Sequence, residues 1–171
     1  METVKVEGRI MKPNLFVEAT ERGIKQLSLA RRGIARFQKI DAQQNALIRR
    51  WKRVAARELE AYFIGSLQEF STPCDLSNLP PFTRNVLRLA AKIPYGEVKS
   101  YRWIAEQLGK PKATRAVGNA LARNPVPIII PCHRVVRSDG TIGGFALGSR
   151  WKRRLLRLEK ITAESSRSRG P

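Results

Sequence analysis

Apolar and polar residues alternate over Leu15-Phe16-Val17-Glu18-Ala19 and again over Ile24-Lys25-Gln26-Leu27-Ser28-Leu29, the period of half-buried strands. Thr20-Glu21-Arg22-Gly23 between them reads as a hairpin turn, its glycine free to take a positive φ. From Asp41 the period lengthens. Ala46, Leu47, Trp51, Val54, Leu59, Tyr62 and Phe63 fall near helical spacing and predict an amphipathic helix ending around Gly65. Turn formers crowd residues 71–81, which reads as a linker between lobes. Pro81 suits a first helical turn, Val86, Leu87, Leu89 and Ala90 carry a helix toward Lys92, and Pro94-Tyr95-Gly96 stops it.

Two short helices follow. Ser100 is placed to cap the first, over 101–108, and Gly109 to close it. Beyond Lys110-Pro111-Lys112 a second helix is predicted over 113–123, broken by Asn124-Pro125-Val126-Pro127. Such a pair is a helix-turn-helix candidate, although two ordinary core helices look the same. Ile128-Ile129-Ile130 reads as a short buried strand or extended segment leading into Pro131-Cys132-His133-Arg134. After a glycine-rich loop over 142–148, the last helix is predicted at 149–160, with Trp151, Leu155, Leu156 and Leu158 as its apolar positions. Residues 161–171 are polar and Arg/Ser-rich and read as a disordered tail. The expected organisation is an N-terminal α/β domain over 1–78, a mainly helical domain over 79–160, and the tail.

Charge sharpens this picture. The 171 residues hold 33 Lys+Arg against 14 Asp+Glu, a net charge of +19. Residues 1–90 carry 16 basic and 9 acidic side chains, and residues 91–171 carry 17 and 5, so the excess concentrates in the second half. A surplus of this size attracts polyanions such as a phosphate backbone, or reflects the Arg-rich surface of a heat-adapted protein. No apolar run reaches the roughly 18 residues that span a bilayer. Met1-Glu2-Thr3-Val4-Lys5-Val6 lacks the layout of a secretory signal. The expectation is a cytoplasmic protein with no membrane contact and reduced thiols. Two cysteines and one histidine fall short of the about four ligands of a tetrahedral zinc site, so no metal is expected.

Cys132 is the candidate for chemistry. On residue type alone it is an inert core cysteine. Prolines before it and basic residues after it change the odds, because cationic neighbours lower a thiol pKa. His133 is adjacent, yet side chains adjacent in an extended chain point to opposite faces, so direct contact is not assured. An acid orienting the imidazole would complete a nucleophile–base–acid relay.

Ile130-Pro131-Cys132-His133-Arg134-Val135 resembles the active-site motif of the O6-alkylguanine–DNA alkyltransferases. Ile93-Pro94-Tyr95-Gly96-Glu97-Val98, Ser100-Tyr101, Arg115-Ala116-Val117-Gly118, Asn124-Pro125-Val126-Pro127 and Leu155-Leu156-Arg157-Leu158-Glu159 match in order. The resemblance covers about 82–159 and extends only loosely over the first 80 residues. It implies a ribonuclease-H-like α/β lobe on a helical domain with a helix-turn-helix. It also implies direct reversal of O6-alkylguanine, and less readily O4-alkylthymine, in duplex DNA by a monomer that acts once and needs no cofactor. Cys132 would accept the alkyl group, His133 act as base through a water, Glu159 orient it, Asn124 brace the turn, and Tyr101 contact the flipped base. Arg115 would replace the extruded guanine, with Ala113, Thr114, Ala116 and Gly118 against the DNA. Pro127, Val135, Phe145 and Ala146 would line the lesion pocket. Two positions depart from the family pattern: Phe145 stands where Tyr is usual and Ala146 where Ser is common, which bears on substrate preference. Some members bind zinc in the N-terminal lobe, but here that lobe has no histidine and only Cys74. The competing readings are a non-catalytic alkyl-lesion-binding protein of the same fold, a thiol hydrolase, and a transcriptional regulator.

Overall fold

The computed structural model describes residues 15–29 and 45–167, with side chains to residue 160. Strands β1 (Leu15–Thr20) and β2 (Gly23–Leu29) form the expected antiparallel hairpin, Thr20 opposite Gly23 and Leu15 opposite Leu29, with a bulge between Glu18 and Ala19. The start of the predicted helix at 41–44 lies outside the described residues. Helix α1 (Ala46–Phe63) begins at Asn45, whose side chain accepts from Leu47 N, a cap the hydrophobic pattern did not reveal. Trp51 Nε1 donates to Glu21 O at 3.0 Å, tying the helix to the hairpin turn.

The segment predicted as a linker is partly built into the sheet. Ile24 N donates to Pro73 O at 2.8 Å, Asp75 N donates to Ile24 O at 2.8 Å, and Ile24 and Cys74 form a parallel bridge. Asp75 accepts from Thr20 Oγ1 at 2.7 Å and from Arg22 Nε at 3.2 Å, which pins the turn from the far side. Prolines and serines mark the segment as irregular, but its carbonyls still find a strand edge to pair with.

Helix α2 (Pro81–Ala91) starts on its proline and buries Thr83, Val86, Leu87 and Ala90. The two-residue strand β3 (Lys99–Ser100) runs directly into α3 (Tyr101–Gln107), where Ser100 accepts from Trp103 N as the predicted cap. Gly109, at φ +67°, closes α3. A 3-10 turn (Pro111–Ala113) then leads into α4 (Thr114–Ala122).

Residues 128–130 are buried as predicted but are neither strand nor extended. Ile128 sits at φ +79°, and Ile130 N returns to Val126 O at 3.0 Å. Asn124 explains the turn: its Oδ1 accepts from Val126 N and its Nδ2 donates to Ile130 O, both at 3.0 Å. One side chain thus supplies the partners that a sheet would otherwise give. After a second 3-10 turn (Cys132–Arg134), strand β4 (Val135–Val136) pairs in parallel with β3.

The last helix, α5 (Ser149–Arg167), runs seven residues past its predicted end, so 161–167 is helix rather than disordered tail. No Gly or Pro interrupts Ile161-Thr162-Ala163-Glu164, and polar composition alone does not stop a helix. Residues 168–171 lie outside the described residues.

The fold is mixed α/β with a helical second half. One buried cluster gathers the hairpin, α1, Val126, Ile128, Ile129 and α5; the other gathers α2, α3, α4, Ile130, Cys132 and Val135. The chain passes from the first to the second between Ile129 and Ile130, just before Cys132. Leu27 N donates to Pro125 O at 2.7 Å, so the hairpin also braces the approach to that segment.

Candidate active site

Cys132 opens the second 3-10 turn, its N–H on Ile130 O at 2.8 Å, and only 5% of the residue is exposed. Asn124 Nδ2, already on Ile130 O, also lies 3.0 Å from Cys132 Sγ. Burial pushes the thiol up to about 11, against the opposing pull of that amide and the Lys152 charge. The expected lowering by cationic neighbours therefore does not hold in the resting protein. Arg134, the nearest cation in sequence, turns away to a carboxylate.

That carboxylate is Glu159. His133 is fully buried with Nε2 2.8 Å from Glu159 Oε1. A carboxylate only accepts, so Nε2 carries the proton and Nδ1 the lone pair. Among the described residues Nδ1 has no hydrogen-bond partner. Arg134 grips the same carboxylate, Nε to Oε2 and Nη2 to Oε1, each at 3.0 Å, and sends Nη1 to Ile93 O at 2.6 Å. Burial acts to raise Glu159, but the hydrogen bonds and charges of His133 and Arg134 win and hold it at about 2. For His133 burial dominates, and the imidazole is pushed below its ordinary range despite Glu159. Cys132 and His133 are both buried, and no hydrogen bond joins their side chains among the described residues.

Cys132 opens onto a pocket of about 950 Å³. Of the predicted residues, Tyr101, Thr114, Arg115, Gly118, Phe145 and Ala146 line it with the thiol. Tyr101, the first residue of α3, is wedged tightly. A Cβ on Gly118 would meet its ring at 3.8 Å, and one on Gly143 would meet its hydroxyl at 2.7 Å. Phe145 lines the pocket and makes a T-shaped contact with His133, ring centroids 5.9 Å apart, whereas His133 itself is not among the lining residues.

Other predicted residues lie elsewhere. Pro127 and Val135 are buried and do not line the pocket. Pro127 is drawn into the turn that Asn124 holds, and Val135 is fixed in β4, its carbonyl accepting from Lys152 Nζ at 2.6 Å. Ala116 is exposed on α4, and Ala113 is half-buried in the turn before it. A separate groove of about 760 Å³, lined by Arg84 and Arg88 of α2, by Lys92 just past its end and by Pro131 and Arg134, contains none of the predicted site residues.

Sequence reasoning missed the roles of three polar side chains, two on the Glu159 carboxylate and one whose charge acts on the thiol. Tyr62 donates to Glu159 Oε1 at 2.7 Å, Arg134 completes the carboxylate's shell, and Lys152 is fully buried on the carbonyls of Val135 and Gly144. Burial lowers the Lys152 ammonium to about 8. Tyr62 reads in sequence as one more apolar position of α1, and Lys152 as one more cation of a basic helix. Lys112, Asn119 and Arg137 at the pocket were also missed.

A thiol opening onto a cation-edged pocket, with an imidazole–carboxylate pair packed behind it, is the kind of arrangement that cysteine-nucleophile chemistry uses. Comparison makes the class specific. Residues 81–161 match the 6-O-methylguanine DNA methyltransferase, DNA binding domain family. The chain is 50% identical over 111 residues to the methylated-DNA–protein-cysteine methyltransferase of Methanosarcina barkeri, covering 63% of this chain and 68% of that protein. It is 43% identical over 110 residues to the constitutive enzyme of Bacillus subtilis, covering 63% and 66%. The Mycobacterium tuberculosis OGT in complex with DNA superposes with a TM-score of 0.69 at 33% identity, over 87% of this chain and 94% of that one. The chain belongs to the methylated-DNA–protein-cysteine methyltransferase family.

Proposed function

We propose that this chain repairs DNA by direct reversal. Cys132 takes the alkyl group from O6 of a flipped guanine, and less readily from O4 of thymine, in a single irreversible turnover. The observation that carries the reading is the Cys132 thiol lining the pocket with Tyr101 and Arg115 while His133 and Glu159 are packed behind it.

The thiol is protonated at rest, so it must lose its proton as the substrate arrives. His133 Nδ1 holds the available lone pair and takes that proton through a water, while Glu159 stabilises the imidazolium that results. Sulfur then attacks the alkyl carbon as the carbon–O6 bond breaks. The departing guanine gains a proton from Tyr101, and the proton that His133 took from the thiol returns through solvent to the phenolate, so the step ends with neutral guanine, a thioether and the imidazole and phenol as they began. No cofactor is consumed. The thioether is not hydrolysed, so each molecule acts once.

On the DNA side, α3 and α4 act as a helix-turn-helix. Thr114, Ala116 and Gly118 lie against the duplex together with Ala113, and Arg115 fills the space of the extruded base, where a planar guanidinium stacks and hydrogen-bonds. Phe145 and Ala146 offer no hydroxyl to the base, leaving backbone amides of that loop for O6. The reading includes a ribonuclease-H-like N-terminal lobe over 1–78, a DNA-binding domain over 79–160, and a monomer in the cytoplasm.

Intact-protein mass spectrometry after incubation with duplex DNA containing one O6-methylguanine tests it. Wild type gains one methyl mass per molecule and stops; Cys132→Ser gains none. Tight lesion binding without any mass gain overturns the transfer and leaves a damage-binding protein.

A further inference from the structure

Glu159 Oε1 has more donors than an orienting carboxylate needs. It accepts from His133 Nε2 at 2.8 Å, Arg134 Nη2 at 3.0 Å and Tyr62 Oη at 2.7 Å. Tyr62 is the shortest of these and comes from α1, in the other half of the chain. We infer that Tyr62 is a positioning residue of the relay: its hydroxyl holds Glu159 and tempers its pull on His133, so that the imidazole stays a neutral base.

The hydroxyl is a fixed donor. Tyr62 is fully buried, and its ring is held against Phe63 and Phe70, centroids 5.4 Å away, and Tyr95 at 6.0 Å. Burial and the neighbouring Glu159 push its phenol well above 10, so it keeps its proton throughout the working range. Tyr62 Oη also lies 3.4 Å from His133 Nε2. That contact acts in the opposite sense, because an oxygen lone pair favours imidazolium, but it is at the edge of hydrogen-bonding range and the 2.7 Å bond prevails.

The charges facing His133 set the direction. Glu159 of α5 is the anion and favours imidazolium; Lys152 of α5 and Arg134 in the same turn oppose it. Cys132 is neutral at rest, and Phe145 adds a ring edge without a charge. By drawing electron density from Glu159, the Tyr62 hydroxyl works with the two cations. Without it, Glu159 attracts a proton on His133 more strongly.

The test uses a feature of composition. His133 is the only histidine in the chain, so imidazole ¹⁵N resonances of the untagged, full-length protein report on it alone. In Tyr62→Phe the ring packing is kept and the donor lost, and the His133 titration midpoint rises by about 0.5 to 1 on the pH scale. The acid limb of the methyl-transfer rate, read against pH, moves the same way. Phe70→Leu disturbs the same aromatic contacts without touching the carboxylate and leaves the midpoint in place. A midpoint unmoved in Tyr62→Phe, or moved equally by Phe70→Leu, overturns the inference and makes Tyr62 a packing residue. The inference rests on the proposed relay for the rate but not for the titration: a shifted imidazole in a protein that transfers nothing sinks alkyl transfer and supports Tyr62.

Discussion

At the scale of single residues, the state of the Cys132 sulfur decides how the protein behaves away from its substrate. A thiol raised from 9 to about 11 holds about a hundredfold less thiolate near pH 8 than an ordinary cysteine. Alkylation by iodoacetamide should therefore be at least about a hundredfold slower than for free cysteine, with a rate still climbing beyond pH 10. A rate that levels off near pH 9 would show an ordinary thiol. Asn124 makes the complementary prediction. It serves Val126 N, Ile130 O and the sulfur from a buried position, so Asn124→Ala strands buried groups and should cost about 2 to 4 kcal/mol in urea denaturation. A loss below about 1 kcal/mol would mean that the turn finds other partners. These two residues were legible because they lie in one contiguous stretch with Pro131, where residue type and order carry the chemistry. Tyr62 and Lys152 were not. Their sites depend on which polar atoms are buried far along the chain, and no local period encodes that.

At the scale of elements, hydrophobic period located the hairpin and the helices well, because each buries one face. It failed where a polar side chain or a distant strand edge decides the backbone, as at residues 128–130 and 71–75. Gly23 shows the second case. The hairpin turn alone asks only for a positive φ, but the segment at Pro73 demands more: a Cβ on Gly23 would lie 2.3 Å from Pro73 O, with φ at +140°. Backbone cannot step aside as a flexible side chain does. Gly23→Ala should therefore cost about 2 to 4 kcal/mol, more than an ordinary turn glycine, through strain and lost pairing of Ile24 with Pro73 and Asp75. Gly109→Ala is the control, with a positive φ but nothing within 4 Å of the added carbon. Equal losses in chemical denaturation would show that conformation matters at Gly23 and the Pro73 contact does not.

For the whole molecule, the proposed relay is also a structural joint. Tyr62 and Glu159 come from helices that pack in the first cluster, while Arg134 reaches from the turn that carries Cys132 to Ile93 beside α2. Its protonation therefore bears on the stability of the protein as well as on its chemistry. The folded state holds Glu159 at about 2 against an ordinary 4.5, so the unfolded chain binds the proton first as pH falls. The contribution is complete above 4.5 and is lost on the way down to about 2. His133 adds to it: with its folded pKa below the ordinary 6.5, its contribution is present above 6.5 and declines as pH drops below that value. The urea midpoint of wild type should thus start to fall just below pH 6.5 and steepen below 4.5. Glu159→Gln should be less stable at pH 7 by about 3 kcal/mol, because the variant lacks the anion that His133 and Arg134 stabilise and leaves Arg134 buried without a countercharge. Below pH 4.5 its curve should flatten and approach that of wild type, which is losing the same charge. Curves that stay parallel from pH 7 to 3 would show that the Glu159 carboxylate orients His133 without stabilising the joint.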